Sequence, residues 1–118
     1  MTIIHHLLTA SEWEQAQAAG SYHPTSLDDE GFIHAAYASQ TLDVANILYP
    51  DQTDLVLLCI DLSKVTAKFQ EDLVEFPPGV QSLHPHFYEA LNIGSVVKVV
   101  DFPLGADHRF SMPPDALL

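Results

Sequence analysis

Positive charge is nearly missing from this 118-residue chain: Lys64, Lys68, Lys98 and Arg109 stand against sixteen Asp and Glu, for a formal charge of −12. A phosphate backbone would meet net repulsion and find few cations to displace its counterions, so nucleic acid is not an expected partner. Cysteine occurs once, as Cys59 inside Leu55-Val56-Leu57-Leu58-Cys59-Ile60, which rules out an intramolecular disulfide and predicts a buried, inert thiol in a reducing compartment. No run approaches the ~18 apolar residues of a membrane span, and Met1 to Leu8 lacks the basic start of a signal peptide. A cytoplasmic protein without a membrane partner is expected. The five glycines, at 20, 31, 79, 94 and 105, allow neither GxGxxG nor GxxxxGK[ST], so Rossmann and P-loop nucleotide sites have no support. His-Glu-x-x-His and G-x-S-x-G are also missing, which removes the usual zinc-peptidase and serine-hydrolase signatures.

What is present is an ordinary globular composition, 47% hydrophobic and 17% charged, of a length that supports one core. Ile3 to Leu8 is apolar on both alternating faces, which predicts a short central strand with His5 and His6 on opposite sides. Thr9 and Ser11 each precede a Glu by three residues, so a helix begins in one of two capping-box registers and runs past Trp13, a core anchor, to a Gly20 stop. Ser21 to Glu30 reads as a loop and Gly31 to Ala36 as a second strand, with Phe32 and His34 on one face. A second helix is expected from a Ser39 cap to the residue before Pro50, with Val44, Ile47 and Leu48 as its apolar stripe. Leu55 to Leu62 reads as the most buried strand, Val65 to Glu71 as another, and Ser95 to Phe102 as the last. Pro77-Pro78-Gly79 opens a loop that carries His84-Pro85-His86. The order predicts one α+β domain over residues 1–102, a split mixed or antiparallel sheet with two main helices, and an irregular Pro-containing tail over 103–118 packed on or extending from it.

Seven histidines outnumber all the Lys and Arg together. Imidazole supplies one donor and one acceptor and titrates near neutrality, so it can hold a sugar hydroxyl or pass a proton. Three clusters qualify: His5-His6 on the first strand, His34 on the second, and His84-Pro85-His86 followed by Phe87-Tyr88; His23 and His108 read as loop residues. Pro85 biases its neighbour toward extended geometry, which would send both flanking imidazoles to one side with Tyr88 beyond them. Against this stands a packing role for each histidine, satisfied within the core. Three histidines from separate elements would also make an open zinc site for hydrolysis, yet no ligand spacing supports one and no metal is expected. Glu30 and Glu89 lie next to the clusters in sequence; Asp28-Asp29-Glu30 and Glu71-Asp72 read most simply as solvated charges.

The succession His6-Leu7-Leu8-Thr9 with Glu12-Trp13, Tyr22-x-Pro24-x-Ser26-Leu27, Glu30-Gly31-Phe32-Ile33-His34 and Pro85-His86-Phe87-Tyr88 resembles the small bacterial domain family DUF952 from about Ile3 to Phe102. That family is grouped by fold with the ADP-ribosyltransferases and RNA 2′-phosphotransferases, so the resemblance implies an ADP-ribosylation-type fold and a pocket for NAD, ADP-ribose or a related small nucleotide. It also selects His6 over His5. Carried over residue by residue, it makes His6, His34 and His86 the catalytic candidates, with Phe32, Glu30, Tyr88 and Glu89 as ligand-binding candidates. The third motif position holds His86 where a Glu or Gln is usual, with Glu89 as the substitute. The resemblance thus implies a transferase or hydrolase acting at the ribose, alongside a non-catalytic small-ligand-binding or regulatory module. The shortage of basic residues disfavours the RNA-processing branch.

Overall fold

The computed structural model describes residues 1–118. In chain order its elements are β1 (Ile3–Thr9), α1 (Ala10–Ala19), β2 (Ser21–Tyr22), α2 (Thr25–Asp29), β3 (Ile33–His34), α3 (Thr41–Leu48), β4 (Leu55–Asp61), β5 (Phe69–Glu75), β6 (Gln81–Phe87), β7 (Leu91–Asn92) and β8 (Val96–Asp101). They form two three-stranded sheets, ordered β1-β4-β8 and β3-β6-β5, and a small β2-β7 pair; every pairing is antiparallel. The architecture is α+β, as composition and element order predict. No helix is long and apolar enough to cross a membrane.

β4 is buried along its whole length, as a strand covered on both faces must be, and it is the centre of its sheet; β1, expected to be central, is an edge strand. The period-2 alternation of β1 divides the core in two. Ile4 and Leu8 face Trp13, Ile33, Phe87 and Leu91, whereas Ile3 and Leu7 face Ala45, Leu57, Phe102 and Phe110. Cys59 is buried in the second cluster.

The free edge of β1 meets the other sheet at a single bridge, in which the His5 amide donates to the Ala36 carbonyl at 2.7 Å and the Ala36 amide to the His5 carbonyl at 2.9 Å. Pro85 explains why β3 stops short of that bridge. It lies in β6 one residue past the His34–His86 pair, its carbonyl accepts from the Ala35 amide, and it has no N–H to return. β3 therefore ends at His34, and the chain crosses from β6 to β1 within two residues.

Local sequence accounts for several boundaries. Thr9 caps α1 in the first of its two registers: the Glu12 amide donates to Thr9 Oγ1, and the Thr9 amide to Glu12 Oε1. Gly20 ends the helix at φ 85°, a left-handed conformation that favours glycine. Other expectations need correction. α3 starts at Thr41 with Gln40 at its cap, because the Gln40 side chain binds the Tyr37 amide and the Leu83 carbonyl and ties the helix start to β6. Its buried residues are Thr41 and Ala45, while Ile47 and Leu48 are exposed. The segment read as a loop from Ser21 contains β2 and the single-turn α2. The second strand is confined to Ile33–His34, β5 begins four residues later than expected, and His84-Pro85-His86 lies in a strand rather than a loop. Residues 103–118 carry no helix or strand, yet they dock: Phe110 is buried, its amide donates to Asn46 Oδ1 at 2.9 Å, and Met112, Ala116 and Leu117 pack on the second cluster.

Candidate functional site

A pocket of about 420 Å³ opens where the two sheets part, on either side of the His5–Ala36 bridge. Five histidines reach its wall: His5 and His6 from β1, His34 from β3, and His84 and His86 from β6. Tyr22, Tyr49, Thr41, Glu12 and Glu75 complete much of the polar lining. The three catalytic candidates thus face one cavity. Their proximity is direct: the His6 ring bonds the His34 backbone, and the His34 and His86 rings stand 5.4 Å apart, edge to face.

The histidines differ in what they have left to offer. His6 Nδ1–H donates to the His34 carbonyl at 2.5 Å, so Nε2 accepts the Tyr22 hydroxyl at 2.8 Å. Both ring nitrogens are spent within the protein. Burial pushes the His6 pKa down to about 4, against a smaller opposing pull from the His34 carbonyl, and burial likewise raises that of Tyr22. His5 is fully buried; its Nε2–H donates to the Leu117 carbonyl at 2.6 Å, and Nδ1 lies 2.8 Å from Thr41 Oγ1, whose single proton is shared with the Tyr37 carbonyl. His84 Nε2–H donates to Ser82 Oγ at 3.0 Å, and Ser82 in turn donates to the Phe76 carbonyl. Burial lowers the pKa of both His5 and His84.

His86 is different. Its ring is 3% exposed, stacks on Phe32 with centroids 4.3 Å apart, and donates Nδ1–H to Asp72 Oδ2 at 2.6 Å. The same carboxylate accepts the Tyr88 hydroxyl on Oδ2 and Gln70 Nε2 on Oδ1 at 2.6 Å. These donors, Tyr88 first and His86 second, hold the Asp72 pKa below the ordinary carboxylate value. With Nδ1 committed to an ionised carboxylate, the neutral ring carries its lone pair on Nε2, which has no partner in the protein. No fully enclosed side-chain nitrogen or oxygen lacks a partner, so this Nε2 is not sealed off, and His86 lines the cavity. The carboxylate–imidazole pair is the arrangement by which general bases are oriented.

The remaining candidates divide. Phe32 and Tyr88 support His86 from behind and do not line the cavity. Glu30 lies outside the wall and binds His34 Nε2 at 3.0 Å. Glu89 faces away: its Oε1 accepts the Lys68 amide at 2.6 Å. His23 and His108 sit in exposed loops paired with Asp28 and Asp51. No three His, Cys, Asp or Glu side chains converge as metal ligands would, so the zinc reading finds no set of residues to carry it.

Asp72 is the member of the candidate site that sequence reasoning missed, since Glu71-Asp72 read as solvated charge. A signal was available. A hairpin centred on Pro78 pairs residues whose numbers mirror about it, which places Asp72 opposite His84 and diagonal to His86 on the same face. Glu12 and Tyr22 stand within the segments that carry the family resemblance, whereas Tyr49 and Glu75 carried no signal, because their place on the wall depends on how the elements pack.

The solved structures most like this chain include the crystal structure of protein CC0527 from Caulobacter crescentus. It is 29% identical, with a TM-score of 0.75 over 93% of this chain and 94% of that one. A double mutant of the same protein gives a TM-score of 0.74, and its solution structure one of 0.69 over 92% of this chain and 91% of that one. No curated protein matches the chain. The model of the family described as "Protein of unknown function (DUF952)" matches residues 7–99, so the chain belongs to that family.

Proposed function

We propose that the cavity binds a small ribosyl compound, such as the nicotinamide–ribose end of NAD or an ADP-ribose-like group, and that His86 handles a proton on it. The observation that carries this reading is the Asp72-held His86 ring, whose Nε2 is unbonded beside the His34 ring on the wall of a 420 Å³ cavity. A volume of this size suits a ribosyl group and its base, and the hydroxyls of a sugar need the paired donors and acceptors that imidazoles provide. The kinship in fold with ADP-ribosyltransferases that the sequence implies points to the same ligand class. The carboxylates available for the expected role are those on the wall, Glu75 and Glu12, the latter also accepting the Thr9 amide; Glu89 lies off the wall and accepts the Lys68 amide. In a hydrolysis or transfer step the bond between ribose C1′ and the base nitrogen breaks, and the electron pair leaves with the base. A water or acceptor hydroxyl forms the new C1′–O bond and gives its proton to His86 Nε2. Wall carboxylates favour the positive charge that develops on the ribose.

Calorimetric titration with NAD and with ADP-ribose tests the binding step. Saturable binding is expected, weakened about tenfold or more in His86→Ala, since a charge-assisted or neutral hydrogen bond of ~1–3 kcal/mol is lost. No heat and no thermal shift with either compound, nor with nicotinamide riboside, would overturn the reading. One observation favours a binding module without turnover: His6, expected among the reacting groups, has both nitrogens spent. Nicotinamide release from NAD that disappears in His86→Ala would leave the enzymatic version standing; binding without release would favour the module.

A further inference from the structure

We infer that the cavity selects positively charged or neutral ribosyl compounds without phosphate, a ribosylpyridinium nucleoside being the type, over phosphorylated ones. The inference rests on the ribosyl reading above and adds its charge preference. None of the four basic residues, Lys64, Lys68, Lys98 and Arg109, lines the cavity. Lys98 is turned toward the tail, donating Nζ–H to the Asp115 carbonyl at 2.6 Å, and Lys68 stands over the Tyr88 ring, 5.8 Å from its centroid, outside the cavity lining. The wall carries two carboxylates, Glu12 and Glu75, and no cation to offset them.

Polyphosphate sites without Lys or Arg use helix starts or bound cations instead. The three helix starts beside this cavity each carry an acid, Asp28 being that of α2, whose Thr25 and Ser26 line the wall. Glu12 is in the first turn of α1 and caps it, and Asp43 is in the first turn of α3, whose Thr41 reaches the wall. No cluster of side chains offers a divalent cation to bridge a diphosphate. The histidines do not substitute: His5, His6 and His84 are held toward the neutral form by burial, and the other two are already paired with carboxylates, His34 with Glu30 at 3.0 Å and His86 with Asp72 at 2.6 Å. What the wall does offer a cation is carboxylate charge and the aromatic rings of Tyr49 and Phe76. A phosphate brought into the same space meets like charge at short range, in a molecule whose net charge of −12 repels it at long range as well.

The test is a calorimetric series at fixed low salt with nicotinamide riboside, its 1,4-dihydro form, nicotinamide mononucleotide, NAD and ADP-ribose, on the whole chain and on the Glu12→Gln/Glu75→Gln double variant. Gln keeps the hydrogen bonds of the capping box, and Glu75 is exposed, so the variant is expected to melt with the parent protein. The riboside should bind about tenfold more tightly than the mononucleotide, with the uncharged dihydro form between them, and the double variant should narrow the gap to a fewfold. A mononucleotide or NAD bound as tightly as the riboside, or a preference that the two substitutions leave unchanged, overturns the charge inference and leaves the ribosyl pocket standing. Failure of all five compounds to bind overturns both.

Discussion

Buried imidazoles make this protein's stability depend on pH in a direction that can be worked out from His6. Its folded-state pKa, about 4, lies below the ordinary value of 6.5, so protons bind the unfolded chain first. The folded state has its full stability above about pH 6.5 and loses it as pH falls toward 4. The loss from His6 alone is at most about 3 kcal/mol, reduced by solvent screening because the ring is half-buried. His5 and His84 shift in the same direction and act in the same window. Urea midpoints should therefore fall between pH 7 and pH 4.5, and less steeply in His6→Asn; midpoints flat over that range would contradict the assignment. At the catalytic candidate the reasoning is geometric. Asp72→Asn weakens the hold on the Nδ1–H tautomer of His86, so nitrogen shifts of the His86 ring in an NMR spectrum are expected to move toward a tautomer mixture, with the fold retained. Sequence could nominate His86 from its place beside Pro85; finding Asp72 as its partner required residues 81–87 to be read as a strand hairpinned about Pro78, and the prolines of that segment read as a loop instead.

At the scale of the element, the parts determined by neighbours in sequence were legible and those determined by distant partners were not. Thr9 and Glu12 meet within one turn, so the start of α1 could be narrowed to two registers; the structure uses the first. Thr9→Ala should cost about 1 kcal/mol in chemical denaturation, and Thr9→Ser close to nothing. A cost in Thr9→Ser equal to that in Thr9→Ala would show that packing of the methyl group, and not the cap, matters there. α3 is the opposite case. Val44, Ile47 and Leu48 make a fair apolar stripe, but Gln40 is pulled to the Leu83 carbonyl of β6 and Thr41 to His5, and this rotates Thr41 and Ala45 inward. The strand β6 was hidden for a related reason. A proline within a run normally argues against a strand between two others, and Pro85 is accommodated only because β3 ends where its missing N–H would be needed.

Across the whole molecule the C-terminal tail ties the chain's end to the wall of the cavity. The Leu117 carbonyl accepts from His5, 112 residues away, and Leu117 packs on the second core cluster. Deleting residues 116–118 leaves the buried His5 Nε2–H without its acceptor and should lower stability by about 2–3 kcal/mol, whereas Leu118→Ala, at a side chain 73% exposed, should change little. A truncated chain as stable as the parent would show that the tail is an ornament of the domain rather than part of it. The amino-acid sequence by itself determined the fold class, the cap and stop of α1, the burial of Cys59 and of the strand around it, and the family, because each rests on local periodicity or on residues adjacent in the chain. Only the tertiary structure decided that five histidines from three strands share one cavity, that His6 is spent while His86 keeps a free nitrogen, and that no basic residue faces that space. These depend on register and on the parting of two sheets at one bridge, where partners are far apart in sequence and a shift of one residue would turn every side chain to the opposite face.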